Sequence, residues 1–211
     1  MFIYLGASTV RVHRSVASGS GNLSPGLVKE VLSISADEMK PIEPPDLHHL
    51  RAALGWLDLG NDLEAALDLD KIAPKLRVHP DVLEVRWQIC ARAKKWDTCV
   101  VIARAVRTLD PNRSSGWLDL SYSLRRVAHA GVPAAWDALL PAAEKFPAEP
   151  LIPFNLSCYA CQLGRLEDAS AWLRQTFAVA DKAGRKKRFR LMALDEPDLE
   201  PLWRRIGELS K

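Results

Sequence analysis

Residues 59–69, LGNDLEAALDL, and residues 163–173, LGRLEDASAWL, repeat one turn and the helix start that follows it. In each, Gly60 or Gly164 can end one helix in a left-handed conformation. The acids beyond it (Asp62 and Glu64, Glu167 and Asp168) suit the positive N-terminal end of the next helix. Ala65 and Ala169 hold equivalent places, and two more small residues, Cys99 and Ala135, fall between them at spacings of 34, 36 and 34. Four residues after each anchor stand Leu69, Ala103, Leu139 and Leu173, and seven after stand Ile72, Val106, Ala142 and Thr176. An i, i+4, i+7 stripe is one face of an amphipathic helix, and here it recurs four times. The small anchors let two helix backbones approach closely.

Upstream of each anchor runs another apolar-periodic stretch, at Leu47–Leu59, Val82–Ala93, Trp117–Val127 and Ile152–Leu163. Prolines at Pro80, Pro111 and Pro147 punctuate the resulting helix pairs. The second turn, Lys94-Lys95-Trp96-Asp97-Thr98-Cys99, lacks the glycine, and the third is about two residues longer. Pro74 should stop the first downstream helix early. The period near 34, the Leu-Gly turns, Trp117-Leu118-Asp119-Leu120, Asn155-Leu156-Ser157-Cys158-Tyr159 and Leu109-Asp110-Pro111 resemble the tetratricopeptide repeat (TPR) family. The resemblance implies an all-α chain: a right-handed superhelix of about four helix–turn–helix repeats across residues 47–180.

Residues 181–211 are expected to form a basic connector and a short C-terminal capping helix. Ala193-Leu194-Asp195-Glu196-Pro197-Asp198-Leu199-Glu200-Pro201-Leu202-Trp203 is similar to the closing segment of some bacterial TPR proteins. A solenoid needs such a cap to cover its last apolar face. Asp198 is read as its N-cap, with Leu199, Leu202, Trp203 and Ile206 as the apolar side. Residues 1–46 are read as a flexible N-terminal extension and a Pro-rich linker. Within them SGSGN at 18–22 is expected to be flexible, Ser24 to be able to cap a short helix through Ile34, and 40–46 to be an extended linker. Residues 1–38 are either a mobile extension or the product of a start placed too early.

Composition narrows the classes. The 211 residues are 48% hydrophobic, 26% charged and 7% aromatic, an ordinary globular profile. No run is long and apolar enough for a membrane span and the start lacks signal-peptide features, so a cytoplasmic protein is expected. Twenty-nine Lys and Arg against 26 Asp and Glu leave +3, all of it within residues 181–211. Cys158-Tyr159-Ala160-Cys161 has the spacing of half a zinc site or a redox pair. It lies mid-helix, however, and Cys90 and Cys99 give no second half-site, so the thiols read as structural. His13, His48, His49, His79 and His129 read as surface or capping residues. With no nucleophile elbow, phosphate loop or dinucleotide fingerprint, the expectation is no enzyme, no metal and no cofactor.

In TPR proteins the first helix of each pair lines a concave groove that takes an extended peptide or a partner helix. By that resemblance the partner-binding positions are Glu84, Gln88 and Arg92, then Tyr122, Arg125 and Arg126, then Phe154, Cys158 and Gln162. Arg, Gln and aromatics together suit a peptide backbone and an acidic group. The favoured function is a non-catalytic protein–protein interaction scaffold or adaptor for a protein or peptide partner. The alternative is a binder of nucleic acid or another acidic surface through Lys182, Arg185, Lys186, Lys187, Arg188 and Arg190, with Phe189 stacking. In the first pair the groove positions are Leu50, Leu54 and Leu57, an apolar stripe that asks for a cover: residues 25–34, a partner, or self-association.

Overall fold

The computed structural model describes residues 40–210, which are all-α, with no strand among them. The expected extension, its helix through Ile34, His13 and the cover at 25–34 lie outside the described residues. Residues 40–119 and 120–210 form two units, divided within the helix Ser114–Leu124.

In the first unit, α1 (Asp46–Asp58) pairs with α2 (Asp62–Lys71), and α3 (Pro80–Arg92) with α4 (Trp96–Leu109), while α2 also packs on α3. Each start has a chemical reason. The Asn61 side chain accepts a hydrogen bond from Glu64 N at 3.2 Å and so caps α2. His79 Nδ1 accepts from Asp81 N, and Pro80 opens α3, where no N–H is needed. As expected, α2 stops at Lys71, and Pro74 starts a separate 3-10 turn, Pro74–Leu76. The Asp46 carboxylate, accepting from Ala73 N at 2.7 Å, ties the start of α1 to the end of α2.

The linker 40–46 is more than a spacer, because Ile42 is buried with Leu50, Ala53, Leu57, Ala65, Leu69, Ile72, Val82 and Val85. Leu50 and Leu57 therefore belong to the core, and only Leu54 of the expected leucine stripe is exposed. The spacing 50, 54, 57 is right for one helix face, but that face straddles the edge of the core. The exposed stripe of all three, on which self-association was expected to rest, is therefore reduced to Leu54.

In the second unit follow the last residues of α5 (Ser114–Leu124), then α6 (Gly131–Leu139), α7 (Ala142–Lys145), α8 (Leu151–Gln162), α9 (Leu166–Lys182) and α10 (Lys186–Asp195). A 3-10 segment, Pro197–Arg205, and α11 (Ile206–Leu209) close it. Helix α8 is the spine: it packs on α9, α6, α7 and the 3-10 segment. It is apolar nearly all round, as a fully enclosed helix must be.

All twelve positions of the periodic stripe are 0 or 1% exposed. The small anchors act at short range: Ser157 Oγ on α8 donates to Ala169 O on α9 at 2.8 Å, and Cys99 Sγ on α4 donates to Trp87 O on α3 at 3.8 Å. The turns share one main-chain pattern. Gly60 N donates to Leu57 O and Asn61 N to Trp56 O; the same pair of bonds recurs at Lys94 and Lys95, at Gly164 and Arg165, and at Gly184 and Arg185. These bonds satisfy the last carbonyls of the helix that ends there. Gly60, Gly164 and Gly184 take left-handed φ values of 78°, 72° and 66°, and Lys94 takes 56° without being glycine. Gly116 answers a different need, since a Cβ there would stand 3.0 Å from Arg107 N on α4.

Candidate functional site

Between α1 and α3 in the first unit lies a groove of about 320 Å³. Leu47, Leu50, Leu54 and Val85 form its apolar lining, and Arg51, Asp81, Glu84 and Gln88 its polar one. Asp81, Glu84 and Gln88 sit three and four residues apart on α3, a spacing that places them on one side. Glu84 and Gln88, two of the expected partner-binding positions, thus border this groove. Arg92, the next position, is instead drawn to Asp62 at the start of α2, 3.4 Å away. Burial raises the Asp62 pKa, and Arg92 opposes that rise.

The acidic wall is held from behind. Arg113 Nη1 lies 2.7 Å from Asp81 and 3.1 Å from Glu84, and its Nε lies 3.1 Å from Asp110. Burial disfavours the Arg113 charge, yet the three carboxylates outweigh it and raise the pKa. Ser115 donates its hydroxyl to Glu84. Burial, with Glu84 nearby, pushes the Asp119 carboxyl well above the usual carboxylate range. Asp81 and Glu84 thus share the Arg113 guanidinium, and Arg51 on α1 adds a positive charge to the lining, so the groove sets charges of both signs beside an apolar floor. Such a groove suits an apolar side chain with a cationic or N–H group placed toward Asp81 and Glu84.

In the second unit the expected residues converge on Asp198, whose local sequence suggests a cap. Arg125 forms an ion pair with Asp198, and Gln162 Nε2 donates to the other Asp198 oxygen at 2.5 Å. The Arg125 guanidinium also lies 5.8 Å from the centre of the Tyr159 ring, within cation–π reach. Burial works against its charge, but Asp198 prevails and raises its pKa. Arg126 stands 3.4 Å over the Tyr122 ring and donates to Tyr122 O at 3.0 Å; here burial prevails and lowers its pKa. Tyr159, whose hydroxyl is 3.3 Å from Ser121 Oγ, is pushed up to about 12 by burial. Arginine and glutamine thus do hold a carboxylate, but it is the chain's own.

Several expectations need correction. Phe154 is fully buried and meets Phe189 edge to face at 5.9 Å, so neither ring is open to a partner or a base. Cys158, on the same helix, is buried as well. Asp198 does not cap the closing segment: the Glu196 side chain accepts from Asp198 N and does so instead. The apolar side of that segment is Leu199, Leu202, Ile206 and Leu209, while Trp203 stays 37% exposed and donates Nε1 to Ala193 O at 3.0 Å.

Burial also governs the thiols, raising Cys158 well above its usual value and Cys161 to about 11. That is the opposite of an activated pair. Among the described residues no group of three or more His, Cys, Asp and Glu is placed to hold a metal ion. No helix among them is long and apolar enough to cross a membrane. His49 lies 3.8 Å from Asp68, and His48 and His129 are exposed. Asp198, Asp81 and Arg113 were missed as site residues. Asp81 carried a signal, since it precedes Glu84 by three residues and so shares its helix face. In comparisons with known proteins, no family model matches this chain, and no curated protein matches it.

Proposed function

We propose that this chain is a non-catalytic protein-interaction scaffold of the tetratricopeptide kind: a right-handed superhelix of about four helix–turn–helix repeats with a C-terminal cap, binding a peptide or partner helix. The observation that carries the binding reading is the groove between α1 and α3, where exposed Leu54 and the polar side chains of Glu84 and Gln88 border an apolar floor. The in-phase burial of the four stripes supports the repeat reading. The ligand class that fits is a segment with an apolar anchor and a cationic neighbour facing Asp81 and Glu84. The nucleic-acid alternative is weakened because Phe189, its stacking group, is buried.

A peptide library selected on the full chain tests this. Leu54→Glu should weaken the selected peptides at least tenfold, about 1.4 kcal/mol, with an unchanged melting temperature because Leu54 is exposed. Selected peptides should carry an apolar residue next to Lys or Arg. Binding that ignores Leu54→Glu but is lost with Lys187→Glu and Arg188→Glu would overturn the assignment.

A further inference from the structure

The groove between α1 and α3 lies beside the point where the chain ahead of the described residues arrives. Leu47 N donates to Glu43 O at 3.0 Å, so the linker runs straight into the first turn of α1. Ile42, buried in one cluster with Leu50 of α1 and Val85 of α3, pins that linker to the two helices that build the groove. Leu47 is the first lining residue along α1 and Leu54 the last, a run of about 10 Å of helix. Residues 35–39, fully extended, span up to about 17 Å. A segment that ends at Ile34 is therefore within reach of the whole lining.

The sequence of that segment complements the groove. In residues 25–34, PGLVKEVLSI, Leu27, Val31 and Ile34 recur at i, i+4 and i+7, with Val28 and Leu32 beside them. That is the pattern of one apolar helix face. At helical spacing Lys29 and Glu30 fall on opposite flanks of this face. The groove carries the matching charges on its two sides, Arg51 on α1 and Asp81 with Glu84 on α3. One orientation of the segment pairs both flanks at once. Its apolar face then covers Leu54, which is 40% exposed among the described residues.

We propose that residues 25–34 of this same chain are the resting occupant of the groove, seated as an amphipathic helix on the Leu50, Leu54 and Val85 floor. Lys29 faces Asp81 and Glu84, and Glu30 faces Arg51. The inference rests on the reading of this groove as a peptide site and names the first peptide it holds. The short tether supplies an effective concentration of about 1 mM, so an intrinsic Kd of about 100 µM keeps the groove about nine-tenths filled. A partner peptide must displace the segment, which lowers its apparent affinity about tenfold. An apolar residue near a lysine, the pattern the groove selects, is what Leu27, Val28 and Lys29 already present.

The test is fluorescence anisotropy of a labelled synthetic peptide of residues 23–35, titrated with the full chain. Wild type should bind it weakly, because the tethered segment competes. Leu27→Glu with Val31→Glu in the chain should raise the affinity about tenfold. Adding Leu54→Glu to that double variant should remove the gain, with an unchanged melting temperature because Leu54 is exposed. In the same double variant Arg51→Glu, at another exposed position, should weaken the peptide, and Glu30→Lys in the peptide should restore it. Equal affinities for wild type and the double variant overturn the proposal, and so does a gain that survives Leu54→Glu. A wild-type dimer in sedimentation velocity that the double variant dissolves also overturns it, placing the segment in a second copy. Library peptides that bind wild type and double variant equally, yet weaken with Leu54→Glu, sink this inference and leave the groove standing as a peptide site.

Discussion

Replacing Asp198 with alanine strips a half-buried arginine of its counter-ion. The Arg125 side chain is 23% exposed and that of Asp198 only 9%, and Gln162 shares the same carboxylate. Leaving a buried polar group unpaired costs about 1–3 kcal/mol. Breaking a fully buried ion pair by removing one partner costs about 3–5 kcal/mol. Partial exposure of Arg125 lets water recover part of this, so the expected loss is about 2 kcal/mol. For a unit of this size each kcal/mol moves the midpoint by about 4–8 °C, so the transition reporting residues 120–210 should fall by roughly 10 °C. Thermal unfolding followed by circular dichroism reads it. Arg125→Met, which keeps an apolar stem, combined with Asp198→Ala should be less destabilised than the two singles added, with coupling of about 1 kcal/mol or more. Additive singles, or an Asp198→Ala protein that melts with wild type, would refute the view that this pair holds the closing segment.

Two further outcomes follow from burial. Leu202 is enclosed, so Leu202→Ala should cost about 2–5 kcal/mol. Trp203→Ala should cost clearly less despite its size, and limited proteolysis near the C-terminal segment ranks the two. His79 is held below its usual pKa chiefly by burial. The unfolded chain therefore takes up the proton first as pH falls below about 6.5. Stability should be intact above that pH and be lost on acidification toward the depressed folded value. His79→Asn, which retains a capping oxygen, should flatten that part of a denaturant-midpoint profile against pH.

Periodicity made the helices legible. The stripes at Ala65, Cys99, Ala135 and Ala169 mark what is buried because the i, i+4, i+7 rule depends only on local geometry. Boundaries were weakest around α5, which starts at Ser114 rather than Trp117, since Ser114 and Ser115 precede the apolar pattern. The site was less legible, for reasons of tertiary packing. Phe154 follows the helix phase of Gln162, yet α8 is enclosed around Phe154 and exposed at Gln162, and spacing within a helix does not say how many neighbours each turn of it has. Asp198 has the local look of a cap, and its partner is Arg125, far back in the chain. Lys94 shows the converse: the turn keeps its hydrogen bonds without glycine, so the missing glycine marked no break in the pattern.

The closing segment also has a meaning in time. Residues 197–209 are the last of the described stretches to leave the ribosome, and they supply Leu199, Leu202 and Ile206 to the unit that holds α8. Helix hairpins such as α8 with α9 join neighbours in sequence and close quickly. The bond from Arg125 to Asp198, by contrast, waits for nearly the whole unit to be made. A second unit made only as far as α10 is therefore expected to be an open stack of hairpins with one apolar flank in water, the kind of exposed surface that invites aggregation. The first unit, whose ion pairs and core cluster lie within residues 40–119, has no such wait for 197–209.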